Sequence, residues 1–231
     1  MEAIDNKHNV VSQLGAVEEL LLNEIPMKRT LYIAIGHDEE VRGFNGAAKI
    51  AEYLSQNNIT FEFILDEGTM MVSNALPGYH KPIGMIANAE KGNIMVEMKV
   101  TGPGGHSSQP SIKDESLVSI MGKAVTKISE NPMPAHFEKG SMFRCTLESN
   151  ADKMPFPLNL LYTNFWIFGP LMKYLLLHAS NGAAASIRTT SAVVKIFGGL
   201  KFNVLPSEVK AYINHRVHPL DTLESVLEYD R

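Results

Sequence analysis

Carboxylates recur in this sequence where they could act together. Asp5 precedes the first helical stretch, Glu39 and Glu40 stand side by side in GHDEEVRG, and Asp66 and Glu67 do so in LDEG. Both acidic pairs directly follow short apolar runs, residues 30–36 and 60–65, that read as buried strands. Ligands of an open α/β sheet gather at the carboxyl ends of its strands, so parallel neighbours would bring all three sites to one crevice. Oxygen donors suit hard and borderline cations, and zinc accepts Asp, Glu and His together. Adjacent Glu39 and Glu40 point in different directions on an extended or turn backbone. One can then ligate a metal while the other faces a bound water as general base. A single acidic loop reads more simply as solvated, whereas three at strand ends, closed by glycines, favour a metal site.

The elements that must position these groups follow from hydrophobic periodicity. Val10, Val11, Leu14, Val17, Leu20 and Leu21 make a helical stripe over residues 8–23. Strands are expected at 30–36, 60–68 and 82–88, with a Gly-rich turn and helix at 43–58 between the first two. Alternating strands and helices imply a mostly parallel sheet with helices on its faces. Near residue 90 the pattern changes. NIMVEMKVTG alternates like a half-exposed strand, and GPGGHSSQP and a helix at about 113–130 follow. Further strands are expected around 140–149, 191–197 and 207–215, and a final helix from Thr222. The reading is α/β: residues 1–90 as one domain, residues 91–231 as a second, α+β domain with an antiparallel sheet.

The stretch 155–177 is apolar over about the length a membrane helix needs. Pro157, Asn159, Asn164, Pro170 and Lys173 interrupt it, and Pro170 would break or kink a helix near its middle. Two short packed helices are expected, with exposure of Phe165, Trp166, Phe168 and Leu171 to lipid or a greasy substrate as the minor alternative. The net charge of −4 and the lack of a basic stripe argue against a nucleic-acid partner. The single cysteine, Cys145, excludes an internal disulfide and reads as a small buried hydrophobe. The first residues have no apolar signal-peptide core, and the one sequon, Asn58-Ile59-Thr60, favours a secretory history only weakly.

GHDEEVRGFNGA, ILDEG, GGHSSQP and KFNVLPSEVKAYINHRVHP match, in order and spacing, the di-zinc metallopeptidases that include carboxypeptidase S and aminoacylase. ALPG..KPI..IA..EKG at 75–92, PMP at 132–134, FPLN at 156–159 and IRTT at 187–190 resemble most closely the N-fatty-acyl-amino-acid synthase/hydrolase branch. The resemblance covers nearly the whole chain. It implies a partial zinc-exopeptidase-like domain over residues 1–90, followed by a lid or dimerisation domain, incomplete at its C-terminal end, over residues 91–231. It also implies two Zn2+ ions per complete site and a homodimer formed through the lid. Asp5 would bridge the metals, Glu39 would be the general base, Glu40 would ligate one zinc and Glu67 the other, with Asp66 as the fallback. His106 would reach a neighbouring subunit's site and steady an oxyanion, and Asn203 and Arg216 would hold the substrate's carbonyl and carboxylate. The implied reaction is hydrolysis, and possible reversal, of amide bonds in peptides or N-acyl amino acids that carry a free carboxylate. The family points to a secreted, vacuolar or lysosomal setting.

Two departures accompany the resemblance. The histidine-x-aspartate motif expected upstream of Asp5, and the histidine expected after the lid, do not occur in this sequence; His8, His37 and His80 do not stand in their motifs. The expectation is therefore a fragment, a truncated product or a gene model short at both ends, with a non-catalytic dimerising remnant as the alternative. Arg42 also stands where relatives usually carry glycine.

Overall fold

The computed structural model describes residues 6–68, 71–74, 76 and 79–231, and the chain divides into two compact units, Met1–Thr69 and Met70–Arg231. In the first unit, α1 spans Lys7–Leu22 and α2 spans Ala47–Gln56, joined through a short 3-10 turn at Glu39–Val41. Helix α1 closes on Asn23, whose side-chain amide donates to the Glu19 carbonyl at 2.8 Å. The strands expected at 30–36 and 60–68 do not form ladders among the described residues. Their side chains do meet: Tyr32 and Phe61 stack edge to face at 5.5 Å, and Arg29 pairs with Glu62 at 2.5 Å. Backbone pairing is what defines a strand, and neither run finds it. The mostly parallel sheet expected over 1–90 is thus not formed among the described residues. No apolar side chain of residues 6–68 is buried; Ile35, Phe63, Ile64 and Leu65 are all exposed. The expected strand at 82–88 likewise reduces to a single bridge, Val72 with Ile83.

The second unit has a real core. Strand β1 (Gly92–Thr101), β3 (Thr190–Gly198) and β5 (Glu208–Val217) form an antiparallel sheet in the order β1-β5-β3. A two-stranded ribbon, β2 (Gly105–His106) with β4 (Val204–Leu205), stands apart from it. Along β5, Val209, Ala211, Ile213, His215 and Val217 alternate inward, the period-2 signature of a sheet with one covered face. Helix α3 (Leu117–Glu130) covers that face, seating Met121 against Val209 and Ala211. Its N-terminus is capped by Ser116, whose hydroxyl accepts from the Ser119 amide at 3.1 Å. Helix α8 (Leu223–Tyr229) begins in a capping box between Thr222 and Ser225 and packs Val226 on Met133 and Val217. The opposite face of the sheet is polar. Tyr212 donates to Glu97 at 2.5 Å, and Lys99 pairs with Glu208 at 2.7 Å.

Between α3 and β3 lie four helices: α4 (Met142–Ser149), α5 (Leu158–Thr163), α6 (Phe165–Ala179) and α7 (Asn181–Ser186). The strand expected around 140–149 is a helix instead. MFRCTLES buries Leu147 in a cluster with Tyr162, Phe165 and Met172, and a helix presents that side chain to its neighbours where an isolated strand would have no ladder. Cys145 faces outward, contrary to the buried reading. The two helices expected over 155–177 are present, but α6 runs unbroken through Pro170. Proline removes one N–H and leaves the carbonyl four residues back unpaired. Both Pro170 and Trp166, which supplies that carbonyl, lie on the exposed face.

Amide hydrogen exchange tests this division. The amides of β5 exchange slowest, and those of 31–36 and 61–65 exchange at close to the rate of an unprotected chain. Slow exchange in those two runs would mean that they are paired after all.

Candidate functional site

The acidic residues of the first unit sit on one tightly tied loop and one open one. In GHDEEVRGFNG, the Asp38 carboxylate accepts from the Asn45 amide at 2.7 Å, and its main-chain carbonyl accepts from Gly43 at 2.8 Å. Chain packing is closest at Gly46, where an added Cβ would lie 2.3 Å from Asp38 Oδ1. A side chain there would displace the Asp38 carboxylate and crowd the His37 amide, 3.1 Å from the added Cβ. This closure turns Glu39 and Glu40 into the first two residues of the 3-10 turn, with Arg42 after them at φ +81°. That left-handed backbone is costly for a residue with a Cβ and is the conformation that glycine adopts most freely.

In the second loop, Asp66 Oδ1 accepts from the Glu67 amide at 2.8 Å, so Asp66 is folded back on its own backbone. Glu67 is reached instead by Asn6, whose amide donates to Oε2 at 3.5 Å, the outer limit of a hydrogen bond. The residue beside Asp5 thus lies against Glu67, while Asp5 itself is outside the described residues. The donors in hand are oxygens alone. Among the described residues no group of three or more His, Cys, Asp or Glu is placed to hold a metal ion. These residues do not by themselves fit a dinuclear zinc centre.

The second unit holds the remaining expected residues. His106 lies in β2, opposite Val204, and the Ser107 amide donates to the Asn203 carbonyl at 3.0 Å, so His106 and Asn203 share the tip of one ribbon. Gly104 lets the ribbon close, since a Cβ there would meet the Leu205 carbonyl at 3.0 Å. The Ser108 amide donates to His106 Nδ1 at 3.2 Å, and the Ser108 hydroxyl lies 2.7 Å from the same nitrogen. A backbone N–H can only donate, so Nδ1 accepts, and the neutral ring carries its proton on Nε2. Arg216 is elsewhere. It is exposed on the polar face near the far end of β5, opposite Asn93 on β1 and Thr190 on β3. Eight residue steps along β5 separate it from Glu208, where β5 leaves the ribbon, a rise of about 27 Å. The structure therefore brings Asn203 and His106 together and holds Arg216 apart from both.

Two buried polar clusters were not singled out by their residue types. In the first, His136 Nε2 lies 2.8 Å from Asp221, which also accepts from Thr189 at 2.5 Å, and the His136 and His218 rings stack at 4.7 Å. The His218 amide donates to Thr189 Oγ1 at 2.8 Å. Burial first, then the neighbouring His136, holds the His218 imidazole below its usual range. In the second cluster, Ser191 Oγ and Asp230 Oδ2 each lie 3.0 Å from opposite nitrogens of the wholly buried His215; the Asp230 contact is not aligned as a hydrogen bond. Both clusters fasten β3 and the chain after β5 to the central strand. HRVHP was the visible signal, but the partners at 136, 189, 191 and 230 are too distant in sequence for spacing to link them.

The fold of the second unit is that of a peptidase dimerisation domain. Residues 88–229 match the peptidase dimerisation domain of the M20 peptidases, and the chain belongs to that family. It is 36% identical over 225 residues to an N-fatty-acyl-amino acid synthase/hydrolase of Bos taurus, covering 97% of this chain and 44% of that protein. A probable carboxypeptidase S-like 2 of Dictyostelium discoideum is 36% identical over 228 residues, with 98% and 43% covered. Carboxypeptidase S of Saccharomyces cerevisiae is 30% identical over 234 residues, with 97% and 39% covered. The chain spans less than half the length of the curated relatives it matches.

Two measurements check these local arguments. Arg42→Gly relieves the left-handed backbone and is expected to stabilise the first unit by about 0.5–1 kcal/mol in denaturant unfolding. Destabilisation would mean that the Arg42 side chain holds the loop. His218 has a folded pKa below its unfolded value of about 6.5, so the unfolded chain binds the extra proton. Its contribution is intact above that pH and is lost as pH falls from 6.5 toward the lower folded value. The melting temperature therefore drops through that window, and His218→Gln flattens the drop; an unchanged slope would remove His218 as its source.

Proposed function

We propose that this chain carries the lid and part of the catalytic half of an amide hydrolase that acts on peptides or N-acyl amino acids, N-fatty-acyl ones included, bearing a free carboxylate. The observation that carries this reading is the length of β5 between Glu208, beyond which the ribbon bearing His106 and Asn203 lies, and Arg216, a rise of about 27 Å. That span is too long for the two ends of the strand to serve one substrate within a single copy. A homodimer through the lid supports a composite site, with His106 and Asn203 from one copy and Arg216 from the other.

In that site the Arg216 guanidinium suits a carboxylate, because its fork makes bidentate contacts. The Nε2–H of His106 donates to the oxygen that becomes negative as the amide is attacked. For the first unit, taken by itself, Glu39 is the proposed general base, the group that accepts a proton from the attacking water and passes it to the leaving amine. The exposed apolar runs of the first unit support its being part of a zinc-exopeptidase-like domain that buries them elsewhere. Zinc dependence belongs to the same proposal: Asp5, Glu40 and Glu67, with Asp66 folded back, would supply oxygen donors and need imidazoles beside them. The lack of a three-ligand group among the described residues favours one second reading, a dimerising remnant without turnover.

Elemental analysis and an amine-release assay separate the two. For the 231-residue chain alone, less than one zinc per chain is expected after dialysis, since carboxylates without imidazole hold zinc loosely; two tightly held zincs would contradict this. In protein that turns over N-acyl amino acids, Glu39→Gln lowers kcat by about 10²–10⁴-fold with metal content unchanged. Loss of metal in that variant would make Glu39 a ligand. Absence of turnover in the metal-loaded protein with peptide and N-acyl substrates alike would leave the remnant reading standing.

A further inference from the structure

Helix α6 carries apolar residues on two sides, interrupted by Lys173 and His178, and the two sides have different fates. Phe165, Gly169, Met172 and Leu176 recur at helical spacing and are buried in the cluster with Leu147 and Tyr162. On the other side Trp166, Ile167, Pro170, Leu171, Tyr174 and Leu175 are exposed, Trp166 at 77% of its full area. Phe156 and Leu160, at and just before the start of α5, are exposed as well, at 78% and 50%. A helix that is apolar on both sides is usually covered on both, and an apolar patch this continuous marks a binding surface.

The charge of the surrounding chain selects the occupant. From Lys153 to Ser207 there is no Asp or Glu, while Lys153, Lys173, Arg188, Lys195 and Lys201 occur there, in a protein whose net charge is −4. Helices α5 and α6 themselves carry no carboxylate, and α6 carries Lys173, so a negative surface meets no like charge from either helix. The aromatic residues are those that settle at a membrane–water boundary. The Trp166 indole N–H is already satisfied by Asn164 at 3.2 Å, and Tyr174 carries a polar tip on an apolar ring. Among the described residues no helix is long and apolar enough to cross a bilayer, so α6 would lie along the surface. A second copy has other places to dock: β1 and β3 are edge strands of the sheet, and Val118 and Ile120 are exposed on α3.

We propose that α5 and α6 form an interfacial platform that seats this unit on an anionic phospholipid surface, with Trp166, Ile167, Leu171 and Leu175 entering the headgroup–acyl boundary and the flanking lysines facing the lipid phosphates. This is independent of whether the chain hydrolyses amides.

Trp166 is the only tryptophan of the chain, so its fluorescence reads the platform alone. The 231-residue protein is mixed with vesicles of phosphatidylcholine containing phosphatidylserine, and separately with phosphatidylcholine alone. The platform predicts a blue shift of Trp166 emission, quenching by brominated acyl chains and co-sedimentation. It also predicts weaker partitioning without phosphatidylserine or at high salt. Leu171→Glu, on the exposed face, keeps the circular dichroism spectrum and weakens partitioning by about tenfold or more. The proposal is overturned if emission and sedimentation do not respond to either vesicle, or if Leu171→Glu binds as the parent does. A blue shift that appears without lipid and tracks protein concentration overturns it too, in favour of a second copy on this face.

Discussion

The inward alternation of β5 is the constraint on which the rest of the structured chain depends. Val209, Ala211, Ile213, His215 and Val217 must all face α3 and α8, because a slip of one residue would turn the whole row to the polar side. That register fixes β1 and β3 on either side, and the polar partners Glu97, Asn93 and Lys99 across the other face follow from it. The two histidines of HRVHP extend the same logic to polar groups. His215 is buried only because Ser191 and Asp230 flank its two nitrogens, and His218 only because Thr189 and the His136–Asp221 pair surround it. Losing Ser191, Thr189 or Asp221 would leave a buried polar group unmatched, which costs more than the bond contributed.

The same strand acts as a ruler. A rigid ten-residue strand keeps its ends apart, and the ribbon that carries His106 and Asn203 joins one end while Arg216 sits near the other. A loop could be argued to fold back, but β5 is paired on both sides along its length and cannot bend to bring the two together. In the proposed site, groups fixed at opposite ends of a stiff element require a second copy, related by a two-fold axis, to bring the complementary end. This connects a feature of packing to the dimerisation domain that residues 88–229 match.

Most of the second unit was legible in the sequence because its patterns are locally complete. NIMVEMKVTG alternates, the helix expected from Thr222 begins one residue later, and the expected strand 191–197 falls within β3 while 207–215 matches β5 but for Ser207. The misreadings have identifiable causes. Residues 142–149 are short and mixed, and only the long-range cluster around Tyr162 makes them a helix. Apolar runs at 30–36 and 60–65 carry strand composition, but a strand also needs a hydrogen-bonded neighbour, which composition does not reveal. For the site, the acidic pairs and GGHSS stood out by residue type. The separation of Arg216 from His106 did not, since sequence distance says nothing of which end of a strand a residue occupies. Nor did the folding back of Asp66, which turns on one hydrogen bond to the next amide.

The most direct test of the composite site is covalent and needs no turnover. Two populations of the chain are made on a Cys145→Ser background, one carrying only His106→Cys and the other only Arg216→Cys. They are allowed to exchange and treated with a short bifunctional maleimide. A site assembled between copies brings these positions together, so the account predicts a cross-linked heterodimer that forms only in the mixture. A chain carrying both cysteines should likewise cross-link to a second copy and not within itself. An internal cross-link in the double variant, or a mixture that stays monomeric after proven exchange, would contradict it.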